Sequence, residues 1–466
     1  MQKSYLLLLV FFFLKLSAWS QTDTTIFSFQ EFISIVKQHH PITYQANLKI
    51  QKGEAKLLKA KGGFDPKLQG VISQKYFNGS QYYSYLNSGL KIPTWFGVSF
   101  QGGYGVNNGA YLNPELTTPN NGLWYAGVTV NLGQGLFIDK RRAELKQAKI
   151  YTNSTQLEQK LILNQLIYDA SISYWNWYKV YNKVQVYKVA LKNAEFRFKG
   201  VRESALIGEK ALVDTLKAVI QVQRRQLILE QLELELANKK ALLETFLWQD
   251  GFIPLEIDST LKPMYFQNST LYPPILITEN EIDTLVFNHP QMLYYQYNID
   301  MLKIENRLKK ENLKPTLQVK YNALSTPLNQ NVFGDYSLNN YNWGAKVAYP
   351  VFTRKERGDL RISEIKIKEK ESQFINKRAE IKYKLIANYN SWNSSIEQVE
   401  IYQKAVLNYY NLFMAELTMF NIGESSLFLV NYREQEYVKA QIQLIELIFN
   451  NYISKANWLY QTVDFK

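Results

Sequence analysis

The feature that most constrains the fold of this chain is an internal duplication. The His-Pro dipeptide at residues 40–41 recurs at residues 289–290, displaced by 249 positions. Farther along, the displacement becomes 215, so that Ile207-Gly208-Glu209 matches Ile422-Gly423-Glu424. Shared landmarks over most of a chain indicate a repeated structural unit. We therefore expect two halves with equivalent roles that differ by one large insertion in the first copy.

The first 20 residues have the pattern of a cleavable secretory signal. Lys3 supplies the positive end, residues 6–14 the apolar stretch, and Ala18-Trp19-Ser20 a small-x-small cleavage site. A membrane anchor is the alternative, but it needs about 20 apolar residues. The chain has no cysteine, so neither disulfides nor a thiol-linked lipid are expected. The mature protein is expected to be exported and not lipidated.

Composition argues against nucleic-acid binding and catalysis. The formal charge is +13, and +11 once Lys3 and Lys15 leave with the signal, but the basic residues are dispersed and lack a recognition motif. We find no nucleophile–base pair, phosphate loop or ligand cluster, so the sequence predicts no enzyme, no cofactor and no metal. The 33 tyrosines and 9 tryptophans suit surfaces that are apolar on one side and wet on the other.

Each repeat is predicted to contain a very long helix and a shorter return helix. Residues 141–206 contain no proline and only one glycine, and their apolar residues recur at alternating steps of three and four. This helix would span roughly 100 Å and its return helix roughly 60 Å. Shorter helices over 29–61 and 281–313 supply the remaining length, with prolines in their first turns. The apolar residues along each long helix form a seam, which Lys188 interrupts in the first repeat and Gln403 in the second. Either these polar residues set the register of helix packing, or the seam drifts toward solvent at this point.

The segments of about 66–137 and 316–352 have the period of β-strands. Residues 317–323 and 341–349 alternate between apolar and polar side chains, over about ten residues per strand. A membrane-spanning barrel strand requires this pattern, and a half-buried soluble sheet is the alternative. The polar positions that would face a barrel lumen are Gln318, Lys320, Asn342 and Lys346.

The number of strands decides how such a barrel could close. Two strands per repeat give four per chain, and residues 82–106 add either a further hairpin, for six, or an extension beyond the outer rim. Four strands cannot close a barrel, and open edges are not tolerated in lipid. A cyclic trimer with twelve strands is the smallest assembly we expect to leave a lumen.

The whole of residues 21–466 resembles the TolC-like outer-membrane efflux and secretion channels. The features that carry the resemblance are the duplication, the His-Pro starts, the strand entries at Pro66 and Pro315, the strand exits at 133–137 and 350–352, and the turns at Gly208 and Gly423. The resemblance implies a homotrimer with an α-barrel and a shared β-barrel, in the outer membrane of a Gram-negative bacterium with a periplasmic extension. It further implies a passive exit channel of a tripartite efflux or type I secretion system, whose partners are a periplasmic adaptor (membrane fusion protein) and an inner-membrane transporter.

The resemblance also assigns roles to residues near the two tip turns. It places the adaptor-docking tips at Ile207, Gly208, Glu209, Ile422, Gly423 and Glu424. Family members narrow their periplasmic entrance with aspartates six residues after the tip glycine, a position that Asp214 occupies in the first copy. The second copy has Leu429 there, which would add an apolar collar. For Asp214, a solvated surface carboxylate is the alternative.

These observations divide the chain into a first repeat (21–249), a Pro-containing linker (250–278) and a second repeat (279–466). The alternative to a channel is a periplasmic coiled-coil scaffold or adaptor, which fits the helical seams but not the paired amphipathic strands.

Overall fold

A computed structural model describes residues 26–258, 260–269, 271, 276–326, 336–337 and 339–465. The predicted signal, residues 1–20, lies outside the described residues. The helices are α1 (Phe29–His39), α2 (Pro41–Lys61), α3 (Lys140–Leu206), α4 (Leu212–Glu244), α5 (Glu279–Phe287), α6 (Pro290–Glu311), α7 (Arg354–Asn421) and α8 (Leu427–Thr462). The strands are β1 (Lys67–Phe77), β2 (Ser80–Pro93), β3 (Val98–Asn108), β4 (Leu123–Asn131), β5 (Trp248–Gln249), β6 (Ile253–Pro254), β7 (Thr316–Ser325) and β8 (Tyr341–Ala348).

These elements form two compact units, and each unit draws on both sequence repeats. The helical unit contains the described residues of the ranges 26–45, Ile162–Leu285 and 381–465. The sheet unit contains Ala46–Leu161 and Val286–Glu380. The long helices α3 and α7 contribute residues to both units, so the compact units do not follow the repeat boundaries.

The predicted pairing of one long helix with one shorter return helix is confirmed in both repeats. Helix α3 has 67 residues and α4 has 33, while α7 has 68 and α8 has 36. Tyr174 and Trp177 of the predicted seam are buried, and Trp175 stacks on Tyr452 of α8 with ring centroids 3.7 Å apart. Aromatic burial of this kind joins helices from the two repeats in one core.

The polar interruption of the first seam faces outward. The Lys188 side chain is 51% exposed and its Nζ lies 2.9 Å from a carboxylate oxygen of Glu233. Gln403, at the matching place in α7, is also exposed. The stripe therefore drifts toward solvent at this level, and the polar residues do not specify register from within the core.

Each His-Pro dipeptide lies where one helix ends and the next begins. Proline has no N–H to donate and fits the first turn of the new helix. His40 Nδ1 accepts a hydrogen bond from Ile42 N at 3.1 Å, and His289 Nδ1 accepts one from Gln291 N at 3.1 Å. Burial lowers the pKa of His40, which favours the neutral ring that can accept this bond. The predicted position of each proline, in the first turn of its helix, is confirmed.

One antiparallel sheet contains six of the strands, in the order β1-β2-β3-β4-β7-β8. Strands β4 and β7, from different repeats, are direct neighbours. Residues 82–106, for which the sequence left two interpretations, lie largely in β2 and β3 and are hydrogen-bonded into this same sheet. The described residues therefore contain a six-stranded sheet in which an inserted hairpin widens the contribution of the first repeat.

Candidate functional site

The sheet has one continuous apolar face. Directly opposite residues on neighbouring antiparallel strands share a face, and Phe100, Val128, Tyr321 and Trp343 lie opposite one another across β3, β4, β7 and β8. In the isolated chain this face is open, since Leu68 is 82% exposed and Trp343 is 63% exposed. An uncovered apolar surface of this extent marks a contact with lipid or with another protein.

The opposite face is polar and, toward the middle strands, more buried. Thr129 is buried, and Asn322 is only 5% exposed. Gln101 Nε2 on β3 donates to Asn322 Oδ1 on β7 at 2.6 Å, reaching across the intervening β4 at Gly127. A Cβ at Gly127 would lie 2.3 Å from the same amide oxygen, so a glycine is required under this bridge. Small residues and buried amides on this side indicate that the polar face is the concave one.

The structure brings together the four polar residues that the sequence singled out in the second repeat. Gln318 lies directly opposite Lys346, and Asn342 lies opposite Asn322 on the same face. Lys320 is opposite Gly344, two positions from Lys346, and therefore occupies this face as well. Gln318 Nε2 also donates to Asn131 Oδ1 of β4 at 3.1 Å.

Both edge strands of the sheet lack a partner within the described chain. Every residue of β8 is exposed, and β1 is exposed at all but one position. The strands run antiparallel throughout, and the sheet has an even number of them, so β8 of one copy could pair antiparallel with β1 of another. Unpaired edge strands of this length are templates for such pairing.

Sequence reasoning missed two groups of aromatic residues at the ends of the strands. At the end where the strands adjoin α2 and α3 lie exposed Trp95, Phe96, Phe137 and Phe352, and at the opposite end lie exposed Tyr76, Phe77 and Tyr111. Tyrosine and tryptophan collect at the two boundaries of a membrane. The signal was present as aromatic residues just outside each alternating stretch, but it is visible only when the strand ends are known.

The two tip turns have the same backbone geometry. Gly208 has φ 81° and Gly423 has φ 84°, a left-handed conformation that favours glycine at a helix end. Glu209 N donates to Ser204 O, and Glu424 N donates to Met419 O, both at 2.9 Å. Each turn thus closes its long helix by the same hydrogen bond and starts the return helix. Ile207 and Ile422 are both exposed, as are Glu209 and Glu424.

Asp214 and Leu429 occupy matching first turns of α4 and α8. Asp214 lies in a groove of about 560 Å³ that Phe420 and Tyr432 also line. Lys217 Nζ lies 3.1 Å from Asp214 Oδ1, so a cation from the same helix partly offsets this carboxylate. Leu429 is partly exposed on α8, and its N–H is capped by Ser426 Oγ.

A buried ionic cluster joins the two hairpins within the helical unit. Glu434 of α8, only 1% exposed, accepts from Arg197 of α3 and Arg225 of α4. Asn193 Nδ2 completes the set at 3.3 Å. Burial lowers the pKa of Arg197, and the Glu434 carboxylate acts in the opposite direction. Sequence reasoning missed this cluster.

No helix in the described part of the chain combines the length and apolarity needed to cross a membrane. No group of three or more His, Asp or Glu side chains there could hold a metal ion.

No family model matches the sequence, and no curated protein matches it. Solved structures do match. The chain is similar to the CmeC outer membrane channel of Campylobacter jejuni, with 13% identity over 94% of this chain and 86% of that chain and a TM-score of 0.65. It is similar to the open state of the MtrE outer membrane channel of Neisseria gonorrhoeae, with 10% identity, 93% and 88% coverage and a TM-score of 0.67. It is also similar to the CusC channel, with 15% identity over 93% of this chain and 91% of that chain and a TM-score of 0.65.

The chain has the TolC-like channel fold. The similar structures cover 93–94% of this chain, so the likeness includes the sheet and the long helices together. The predicted fold class, duplicated long helical hairpins that carry a β-sheet portion, is thereby confirmed. At sequence identities of 10–15%, the likeness to these TolC-like structures establishes the fold alone.

Proposed function

We propose that this protein is a passive outer-membrane exit channel. The observation that carries the proposal is the two-faced, six-stranded sheet, with an exposed apolar face, a concave polar face and two unpaired edges. A soluble protein would have to cover the apolar face, and a single chain would leave the edges open. Lipid on the apolar side and further copies at the edges satisfy both requirements.

The assembly that fits the TolC-like fold is a homotrimer. Six strands from each of three chains would close an eighteen-stranded barrel, in the size range of about 16–18 strands that leaves an aqueous lumen. The strands have 8 to 14 residues, against about 9–11 needed to cross a bilayer. Gln318, Lys320, Asn342 and Lys346 would line that lumen, and the aromatic groups at the strand ends would lie at the two membrane boundaries.

The helical hairpins would extend into the periplasm and meet partner proteins at their tips. The residues proposed to dock a periplasmic adaptor are Ile207, Gly208, Glu209, Ile422, Gly423 and Glu424. Leu206, Leu212 and Phe428 beside them are each at least 70% exposed, which is unusual for large apolar side chains unless a partner covers them. An adaptor and an inner-membrane transporter, within a tripartite efflux or type I secretion system, would supply the substrate and the energy. The channel itself performs no chemistry.

The native mass and location of the mature protein test the channel proposal against a periplasmic scaffold. We expect extraction from outer membranes to require detergent and to release trimers that conduct ions in a planar bilayer. Release by salt alone, or a monomer in detergent, would contradict the channel and favour the scaffold.

Asp214 is proposed to contribute to a periplasmic aperture, with Leu429 as an apolar collar. Carboxylates around a narrow axis favour cations. Replacing Asp214 by Asn should therefore reduce the preference for cations at that end, measured as a changed reversal potential in a salt gradient. An unchanged reversal potential would leave Asp214 as a surface residue paired with Lys217.

A further inference from the structure

All charged residues of the six-stranded sheet have the same sign. The six strands contain no Asp and no Glu. Their charged residues are Lys67, Lys75, Lys91, Lys320 and Lys346. The register places every one of these lysines on the polar, concave face and none on the apolar face.

Four of these lysines, which we call the lysine belt, lie away from the β1–β2 turn: Lys67, Lys91, Lys320 and Lys346. Lys67 and Lys91 are direct cross-strand partners, a separation of about 5 Å between Cβ atoms. Lys320 and Lys346 are diagonal neighbours on β7 and β8, about 7–8 Å apart. All four are exposed in the isolated chain. Like charges directly opposite each other destabilise a sheet, so strand pairing does not explain the belt.

Nearby carboxylates form no ion pair with the lysines of the belt. Asp139, after β4, is engaged by Arg142 at 3.3 Å, and Glu311, before β7, is engaged by Lys314 at 2.7 Å. Asp65 lies two residues before Lys67, is exposed and forms no ion pair with it, so it offsets the charge of Lys67 only in part. Among the described residues, no carboxylate forms an ion pair with a belt lysine.

We propose that the lysine belt makes the barrel lumen anion-selective, suited to exported solutes that carry carboxylate, phosphate or sulfate groups. This inference rests on the proposed channel function and adds its charge preference. Within each of the two pairs the separation is no longer than the Debye length of about 8 Å at physiological salt, so the fields of the two lysines of a pair overlap. A water-filled passage lined by one sign of charge concentrates ions of the opposite sign, and rings of lysine or arginine select anions in pores.

The belt and Asp214 bear opposite charges on different units of the chain, so they can be tested separately. The belt carries four cations per chain that pair with no carboxylate of the described residues, whereas Asp214 is one carboxylate offset by Lys217. We therefore expect the belt to dominate selectivity in the intact channel. A change of one kT in the lumen potential alters the anion-to-cation concentration ratio about seven-fold.

The test is the chloride-to-potassium permeability ratio of purified trimers in a planar bilayer under a KCl gradient. We expect the wild-type ratio to exceed one. Replacing all four belt lysines by Gln should lower it about seven-fold or more, by the same reasoning on lumen potential. The matched control replaces the same four lysines by Arg, which keeps the charge and should keep the anion preference.

Two double variants protect the test against failed assembly of the quadruple variant. Lys67→Gln with Lys91→Gln, and Lys320→Gln with Lys346→Gln, should each give part of the decrease. A wild-type channel that prefers potassium, or Gln variants that keep the wild-type ratio, would overturn the anion selectivity and leave the channel function standing. Trimers with no conductance would overturn the channel function itself, and the inference with it.

Discussion

The buried ionic cluster gives the sharpest stability prediction. Glu434 accepts from Arg197 and Arg225, and all three side chains are largely withdrawn from solvent. Replacing Glu434 by Gln keeps the size and shape of the side chain but removes the only carboxylate that these two guanidinium groups share in the described structure. Breaking a buried ion pair by removing one partner costs about 3–5 kcal/mol, because the remaining charge stays buried. Glu434→Gln should lower the free energy of unfolding by that amount.

The same helix provides a matched control. Glu436 lies two residues away and pairs with Lys439, whose side chain is 60% exposed, at 2.8 Å. Exposed pairs at this spacing contribute about 0.2–0.5 kcal/mol, so Glu436→Gln should change stability little. The measurement is guanidinium unfolding of the detergent-solubilised protein, followed by far-UV circular dichroism.

A further variant separates buried charge from shape. Replacing Glu434 by Leu together with Arg197→Met and Arg225→Met removes all three charges, and apolar replacements of buried ion clusters are often neutral or stabilising. This triple variant should recover most of the stability lost in Glu434→Gln. Equal unfolding midpoints for Glu434→Gln and Glu436→Gln, or a triple variant less stable than Glu434→Gln, would refute the reasoning.

Two further predictions concern a strand and a lysine. Gly127→Ala should weaken assembly of the heat-resistant oligomer on gels, because its Cβ would lie 2.0 Å from Tyr321 O. The control variant Gly344→Ala places its Cβ in open space and should assemble normally. Equal assembly of the two variants would contradict this prediction. Burial lowers the pKa of Lys455 to about 8. Because the unfolded chain then binds one more proton than the folded chain between pH 8 and about 10.5, unfolding free energy should rise through that window. Lys455→Met should show a weaker rise, and an unchanged pH profile would contradict the assignment.

The sequence predicted those features that depend on local periodicity. The alternation of apolar and polar residues over 317–323 and 341–349 predicted β7 and β8, and the absence of proline from residues 141–206 predicted α3. Both patterns repeat within one element, so no distant contact is needed to recognise them.

Features that depend on distant partners could not be predicted in this way. Arg197 and Glu434 are 237 positions apart, and no periodicity links them. The partner of Asp214 was missed for a different reason, because Lys217 is close in sequence but pairs of this kind are too common on helix surfaces to be informative. The lysine belt required strand register, since a slip of one residue would move each lysine to the apolar face.

The pairing of edge strands between copies can be tested directly, because the natural chain has no cysteine. If β8 of one copy pairs with β1 of the next, apolar-face positions must meet apolar-face positions, as Leu317 meets Val347 within the chain. A disulfide forms only when two Cα atoms lie about 4.4–6.8 Å apart with suitably directed side chains. We therefore expect Ala345→Cys to cross-link with Leu68→Cys or Gly70→Cys, but not with Gln69→Cys.

The face requirement makes this experiment independent of the unknown inter-chain register. Shifting the pairing by two residues exchanges Leu68 for Gly70 or Ile72 as the partner but keeps the apolar face, whereas a shift of one residue would turn the lysine belt toward lipid. Cross-linked trimers on non-reducing gels should therefore appear when the β1 cysteine is on the apolar face, and not when it is on the polar face. Cross-linking from both faces of β1, or from neither, would show that the two edges do not close a barrel between copies.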